Sequence, residues 1–169
     1  NNPNPNLTMS ISSQAKRTLV VFSGGQDSTT CLYWALKNFE EVRTLTFDYG
    51  QRHRIELECA KKIAQFAAVP HEVLSVGTFA ELGGNALTGN EEVESHQENI
   101  IEEDLPNTFV PGRNIILLSF AAARAWQLGI ENIVTGVCQT DYSGYPDCRK
   151  NTIEALQLAL NLGMERQFV

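Results

Sequence analysis

The chain has 169 residues, 43% of them hydrophobic and 20% charged, with a formal net charge of −7. Such a length buries a sizeable core in one domain, no stretch of about 18 apolar residues runs free of charges and breakers as a membrane helix would, and so acidic a surface disfavours broad contact with the phosphates of tRNA or DNA. The 4 cysteines, Cys31, Cys59, Cys138 and Cys148, lack CxxC spacing, and the start lacks the basic-then-apolar order of a secretory signal, so reduced thiols and a cytoplasmic location are expected.

In chain order, residues 1–16, rich in Asn and Pro at their start, predict a disordered leader, with the folded part beginning near Arg17. Thr18–Phe22 is an apolar run of strand length. Asp27–Lys37 is a helix with Cys31, Leu32, Ala35, Leu36 and Phe39 on one side, and Val42–Phe47 a second strand. Glu56–Ala67 is a helix in which Ile55, Cys59, Ala60, Ile63, Ala64 and Ala67 recur at helical spacing. His71–Val76 is a shorter third strand, followed by a long acidic connection over residues 77–111, read as a solvated flap or a lid. Ile115–Leu128 is so uniformly apolar that a buried helix closed by Gly129 is expected. Asn132–Val137 is a fourth strand, Thr152–Leu162 an amphipathic helix ending at Gly163, and Gln167–Val169 opens a further strand-like run. Strands alternating with helices predict an α/β fold with a parallel sheet and right-handed crossovers, which binds ligands beyond the carboxyl ends of its strands.

Between the first strand and the first helix stands Ser23-Gly24-Gly25-Gln26-Asp27-Ser28. Two glycines let the backbone turn sharply and approach a ligand closely. The helix behind them offers unpaired N–H groups and the positive end of its dipole, and Ser23, Ser28, Thr29 and Thr30 add hydroxyls. Together these make a nest for phosphate oxygens. Neither GxxxxGK[ST] nor GxGxxG occurs, so this is neither a Walker loop nor a dinucleotide fingerprint. Without the Walker lysine, pyrophosphate is better suited as a leaving group held by the loop, with Asp27 as an oxygen ligand for a magnesium ion upon it.

The sextet resembles the pyrophosphate loop of the ATP pyrophosphatase (PP-loop) superfamily. Three further stretches, FDYGQRHRIELECA (47–60), NTFVPGRNIILLSFAA (107–122) and GVCQTDYSGYPDCR (136–149), are similar in order and separation to those of the 7-cyano-7-deazaguanine synthase family of the queuosine pathway. The resemblance covers residues 17–169 and implies one Rossmann-like (adenine nucleotide alpha hydrolase-like) parallel sheet flanked by helices. It implies a ligase that converts 7-carboxy-7-deazaguanine, ammonia and ATP to the nitrile through adenylated intermediates.

For ATP binding it implies Phe22, Ser23, Gly24, Gly25, Gln26, Asp27, Ser28, Thr29, Thr30, Cys31 and Leu32. For the substrate and the developing charge the candidates are Arg52, His53, Arg113, Asn114, Asp141, Tyr142, Ser143, Asp147 and Arg149. The cations stabilise charge at phosphorus, Asp141 and Asp147 accept hydrogen bonds from the guanine-like edge, and Tyr142 and Tyr145 stack on the heterocycle. Blander roles stand beside these: Arg113 as a loop anchor, His53 as a structural hydrogen-bonder, Asp147 and Arg149 as a pair across a turn, Cys31 and Cys59 as core. The family also implies a structural Zn2+ held by a C-terminal cysteine cluster. The chain stops at Val169 within strand-like sequence, so that part is expected to be absent and no zinc ligand is assigned. The expected partners are small molecules, not nucleic acid or membrane, and a homodimer stays open. Two rivals stay open as well. One is another PP-loop enzyme such as a tRNA thiolase, which needs a reactive cysteine and a basic RNA surface. The other is a non-catalytic nucleotide-binding module, which has no use for a second, heterocycle-reading loop.

Overall fold

A computed structural model describes residues 16–48, 55–77, 112–137 and 145–169 of the protein. The leader, Arg52, His53, the acidic connection beyond Gly77, Cys138, Asp141, Tyr142 and Ser143 lie outside these residues. The described elements are β1 (Arg17–Val21), α1 (Gln26–Asn38), β2 (Glu41–Asp48), α2 (Ile55–Phe66), β3 (His71–Ser75), α3 (Arg113–Leu128), β4 (Asn132–Val134), a 3-10 turn (Pro146–Cys148) and α4 (Lys150–Met164). The strands form one sheet in the order β3-β2-β1-β4, and every pairing is parallel. This is the expected α/β architecture.

Alternation along β1 splits the core into two layers, because successive side chains of a strand point to opposite faces. Val20 and Phe22, with Val42 of β2, pack against Leu32 and Ala35 of α1 and Ala60 and Ala64 of α2. Leu19, Leu45 and Phe47 meet Ala121, Ala122 and Ala125 of α3 on the other face, together with Ile130 and Phe168. Small residues on α2 and α3 let these helices lie close to the sheet.

Connectivity places the site. From β1 the chain goes through α1 to β2 on one side, whereas β4 flanks β1 on the other. The carboxyl ends of β1 and β4 therefore border the point at which strand order reverses, where open α/β sheets hold ligands. Helices packed on parallel strands in such units run back against them, so α1, α3 and α4 open their N-termini on this same edge.

Several expected boundaries move. α3 starts two residues earlier than its apolar run, which puts Arg113 and Asn114 inside its first turn. It is amphipathic and not wholly buried: Trp126 is 47% exposed, and Phe120 and Ile115 also face outward. Gly129 does close it, at φ 67°. In α2 only Ala60 and Ala64 are buried, and Cys59, expected in the core, is exposed. Likewise Leu36, assigned to the inner side of α1, is exposed. β4 stops at Val134, three residues short of expectation.

α4 runs through Gly163 to Met164 and ends at Glu165 in the left-handed region, φ 49°. Tertiary bonds hold that end in place. The Trp126 indole N–H donates to the Met164 carbonyl at 3.2 Å, and Gln157 Nε2 and Asn161 Oδ1 bind the Phe168 backbone at 2.7 and 2.8 Å. The strand-like tail is seen at its first step. Val169 N–H donates to Glu131 O and Ile133 N–H to Val169 O, both at 2.9 Å, the bonding of a parallel partner beside β4.

Candidate functional site

The loop after β1 is fixed from below before it reaches any ligand. Phe22, 1% exposed, sits in the core. Its N–H donates to Leu45 O at 2.8 Å, and its carbonyl accepts the Thr46 hydroxyl of β2. The peptide entering Ser23 thus has one orientation. Gly24 then adopts φ +82°, and a Cβ added there would stand 2.8 and 2.9 Å from the backbone N and Cα of Ala60. Gly24 is therefore demanded by the backbone of α2, apart from any ligand. Gly25 is different. It caps α1 at φ −75°, ψ 171°, open to any residue, and its Cβ would meet only Ser23 Oγ, at 3.5 Å.

The serine hydroxyls close the loop on itself. Ser28 Oγ donates to Gly25 O at 3.0 Å and accepts the Ser23 N–H at 3.3 Å. Ser23 Oγ lies 3.1 Å from Ser28 Oγ and accepts the Gly25 N–H at 3.3 Å. With the Ser28 proton committed to Gly25, the Ser23 proton goes to Ser28. Both hydroxyls, expected to meet phosphate, shape the loop in this structure. Thr30 likewise donates to its own helix at Gln26 O, 3.0 Å away.

The backbone offers an anion further donors. The first helical bond runs from Thr29 N–H to Gly25 O, so the amides of Gln26, Asp27 and Ser28 precede the ladder, and among the described residues no side chain caps the helix. Cys31 is half-buried and Leu32 lies fully in the core. Burial and the neighbouring Asp27 charge push the Cys31 thiol up from its ordinary pKa, which disfavours a nucleophilic thiolate.

Beyond β4 the chain passes over this same helix end. A Cβ on Gly136 would lie 3.3 Å from Cys31 Sγ and 3.4 Å from the Asp27 carbonyl carbon. The backbone that opens the 136–149 stretch thus abuts the first turn of α1, where Asp27 stands exposed. Further on, the two other stretches join. Asn114 N–H donates to Asp147 Oδ2 at 2.8 Å, Asn114 Nδ2 reaches Cys148 Sγ at 3.2 Å, and the Arg113 guanidinium sits 5.9 Å from the Tyr145 ring centre. Asp147 and Arg149 form no ion pair among the described residues. Arg149 is exposed and lines a surface groove with Lys150, Asn151 and Glu154.

Sequence reasoning missed Thr46, Ala60 and Gly136. Each is ordinary within its own element and acts only through a partner distant in the chain. A small residue at a helical core position offers at most a hint of close approach.

Among the described residues no three His, Cys, Asp or Glu side chains gather as a metal site, and no helix is long and apolar enough to cross a membrane. Residues 17–169 match the family described as "Queuosine biosynthesis protein QueC". The chain is 61% identical over 150 residues to a 7-cyano-7-deazaguanine synthase of Laribacter hongkongensis, covering 89% of this chain and 65% of the relative. It is 60% identical over 153 residues to that of Chromobacterium violaceum, covering 89% and 64%. To that of Bacillus subtilis it is 52% identical over 155 residues, covering 91% and 68%. The chain thus spans slightly under two thirds of the first two relatives. A solved structure titled as a predicted subunit of tRNA methyltransferase from Methanocaldococcus jannaschii aligns over 90% of this chain and 66% of its own length. Its TM-score is 0.53 and its identity 18%, a likeness of fold alone.

Proposed function

The chain belongs to the family of the queuosine biosynthesis protein QueC, and from that membership we propose that it performs the ligase chemistry named in its relatives. It converts 7-carboxy-7-deazaguanine, ammonia and ATP to 7-cyano-7-deazaguanine, in the cytoplasm and without nucleic acid or membrane as partner. One observation carries this beyond the name. The uncapped amides of α1 and the chain at Gly136, where the heterocycle-facing stretch begins, meet at a single helix end.

A carboxylate is a poor electrophile, so its oxygen must become part of a leaving group. In the proposed sequence that oxygen attacks the α-phosphorus of ATP and pyrophosphate departs. Ammonia then attacks the activated carbonyl, AMP leaves, and an amide results. The amide oxygen is activated by a second ATP in the same way, and loss of AMP and protons gives the nitrile. The amides of Gln26, Asp27 and Ser28 receive the departing pyrophosphate at the positive end of α1. Arg113, held beside Tyr145, faces the charge that builds at phosphorus. Arg52 and His53 keep the charge-stabilising roles, and Asp141, Tyr142 and Ser143 the substrate-side roles, implied by the resemblance.

Magnesium fits the residues present. An ion carried mainly by phosphates needs one or two carboxylates, and Asp27 stands exposed in the first turn of α1. Magnesium would neutralise pyrophosphate as it leaves. Structural zinc needs about four N or S ligands, a set the described residues do not gather.

Incubation with ATP, ammonia and 7-carboxy-7-deazaguanine, followed by mass spectrometry, should yield the nitrile with AMP and pyrophosphate. Consumption of ATP without nitrile or amide would refute the assignment.

A further inference from the structure

We infer that Asp147 is a positioning residue, acting on the reaction by fixing the first turn of α3 and with it Arg113, not by touching substrate. This rests on the proposed ligase function and goes beyond it, since a carboxylate in a stretch so specific would otherwise read the guanine-like edge.

Burial and bonding favour the brace. Asp147 is 4% exposed, so its carboxylate has little surface to offer a ligand. An ionised group so deeply buried requires charge-assisted partners, and Asp147 has one in the Asn114 N–H at 2.8 Å. That N–H belongs to the first turn of α3, whose amides have no partner within the helix. Local capping is closed to it: Gly112 holds the N-cap position at φ 70° and no side chain caps the helix from there. An acid from 33 residues further along the chain does this work, and its negative charge meets the positive end of α3.

The brace reaches chemistry through two neighbours. Arg113 precedes Asn114 in the same turn, and its guanidinium lies over Tyr145, two residues before Asp147. On the other side Asn114 Nδ2 bonds Cys148 Sγ at 3.2 Å, so helix and turn are joined twice. The turn in turn is bound to α4 by the Thr152 hydroxyl, which donates to Pro146 O at 2.9 Å. Releasing Asp147 would free the start of α3 while leaving unchanged the loop before α1, a helix packed on the opposite face of the sheet.

The test compares Asp147→Asn with Asp147→Ala in the full chain. Asparagine keeps an acceptor oxygen for the Asn114 N–H. Expected are wild-type hydrogen-exchange protection at that amide and a KM for 7-carboxy-7-deazaguanine within about two-fold of wild type. Alanine should speed exchange at Asn114 by about ten-fold or more and lower kcat by about 10- to 100-fold, the range for a lost hydrogen bond to a charged group. KM should stay within about three-fold and ATP affinity should not change. Asp147→Ala combined with Arg113→Ala should be no slower than Arg113→Ala alone, because both remove the same contribution. A ten-fold rise in KM for Asp147→Asn with Asn114 still protected would overturn the inference in favour of substrate contact. Unchanged exchange at Asn114 in Asp147→Ala would overturn it by removing the brace. The exchange arm needs no turnover, so an inactive wild type would count against the ligase function alone.

Discussion

Alanine at Gly24 and alanine at Gly25 should act in opposite ways, although the two glycines are adjacent. At Gly24 the new methyl would sit 2.8 Å from the backbone N of Ala60, on a residue held at φ +82°. The left-handed conformation costs an L-residue about 1–2 kcal/mol, and forcing an atom against immovable helix backbone adds about 1–3 kcal/mol. The sum, roughly 2–5 kcal/mol, lowers Tm by roughly 4–20 °C for a domain of this size. At Gly25 the backbone already suits alanine, and reduced freedom of the unfolded chain stabilises by about 0.4–1 kcal/mol. If the proposed function holds, however, its methyl would crowd phosphate bound at the free amides of α1. ATP affinity should fall at least ten-fold, about 1.4 kcal/mol. Thermal unfolding of both variants and calorimetric titration of Gly25→Ala with ATP and magnesium make the comparison. Wild-type affinity in Gly25→Ala would show that the loop is not a phosphate cradle, and wild-type stability in Gly24→Ala would refute its contact with α2.

Asp27→Asn should keep the Tm of the wild type while weakening magnesium-dependent ATP turnover roughly 10- to 100-fold, as expected for a lost charged contact; undiminished turnover would remove Asp27 from the site. Stability should also depend on His71, whose Nε2 is buried without a partner among the described residues. Burial, then the charge of Lys61, lowers its pKa in the folded state. The unfolded chain therefore takes the proton more readily, and stability should fall as pH drops below about 6.5 toward the lower folded value. Denaturant melts of His71→Leu across that window should show a shallower slope, and an identical slope would exclude the histidine. Finally, tRNA at physiological salt should not compete with the small substrate, given a net charge of −7; tight competition in a filter-binding assay would favour a tRNA-modifying activity instead.

The sequence by itself determined the alternation of strands and helices, the glycine turn of the Ser23–Ser28 loop ahead of α1 and the family. Those properties are local: an apolar run of strand length, glycines at a turn and a helix start are encoded within a few neighbouring residues. Local periodicity also misled, since it could not tell a helix packed on both sides from one facing outward. Thus α3 leaves Trp126 exposed, Cys59 faces out, and α4 runs past Gly163 because side chains distant in sequence hold its end. Only the tertiary structure decided which partner each of these residues meets. Gly24 answers to Ala60 of another helix, Ser23 and Ser28 to each other, and Asp147 to the amide of Asn114. A residue's type in sequence names the interactions it can make. Which partner it meets depends on chain segments folded against it from far away, and those distances exist only once the sheet has brought its carboxyl edge together.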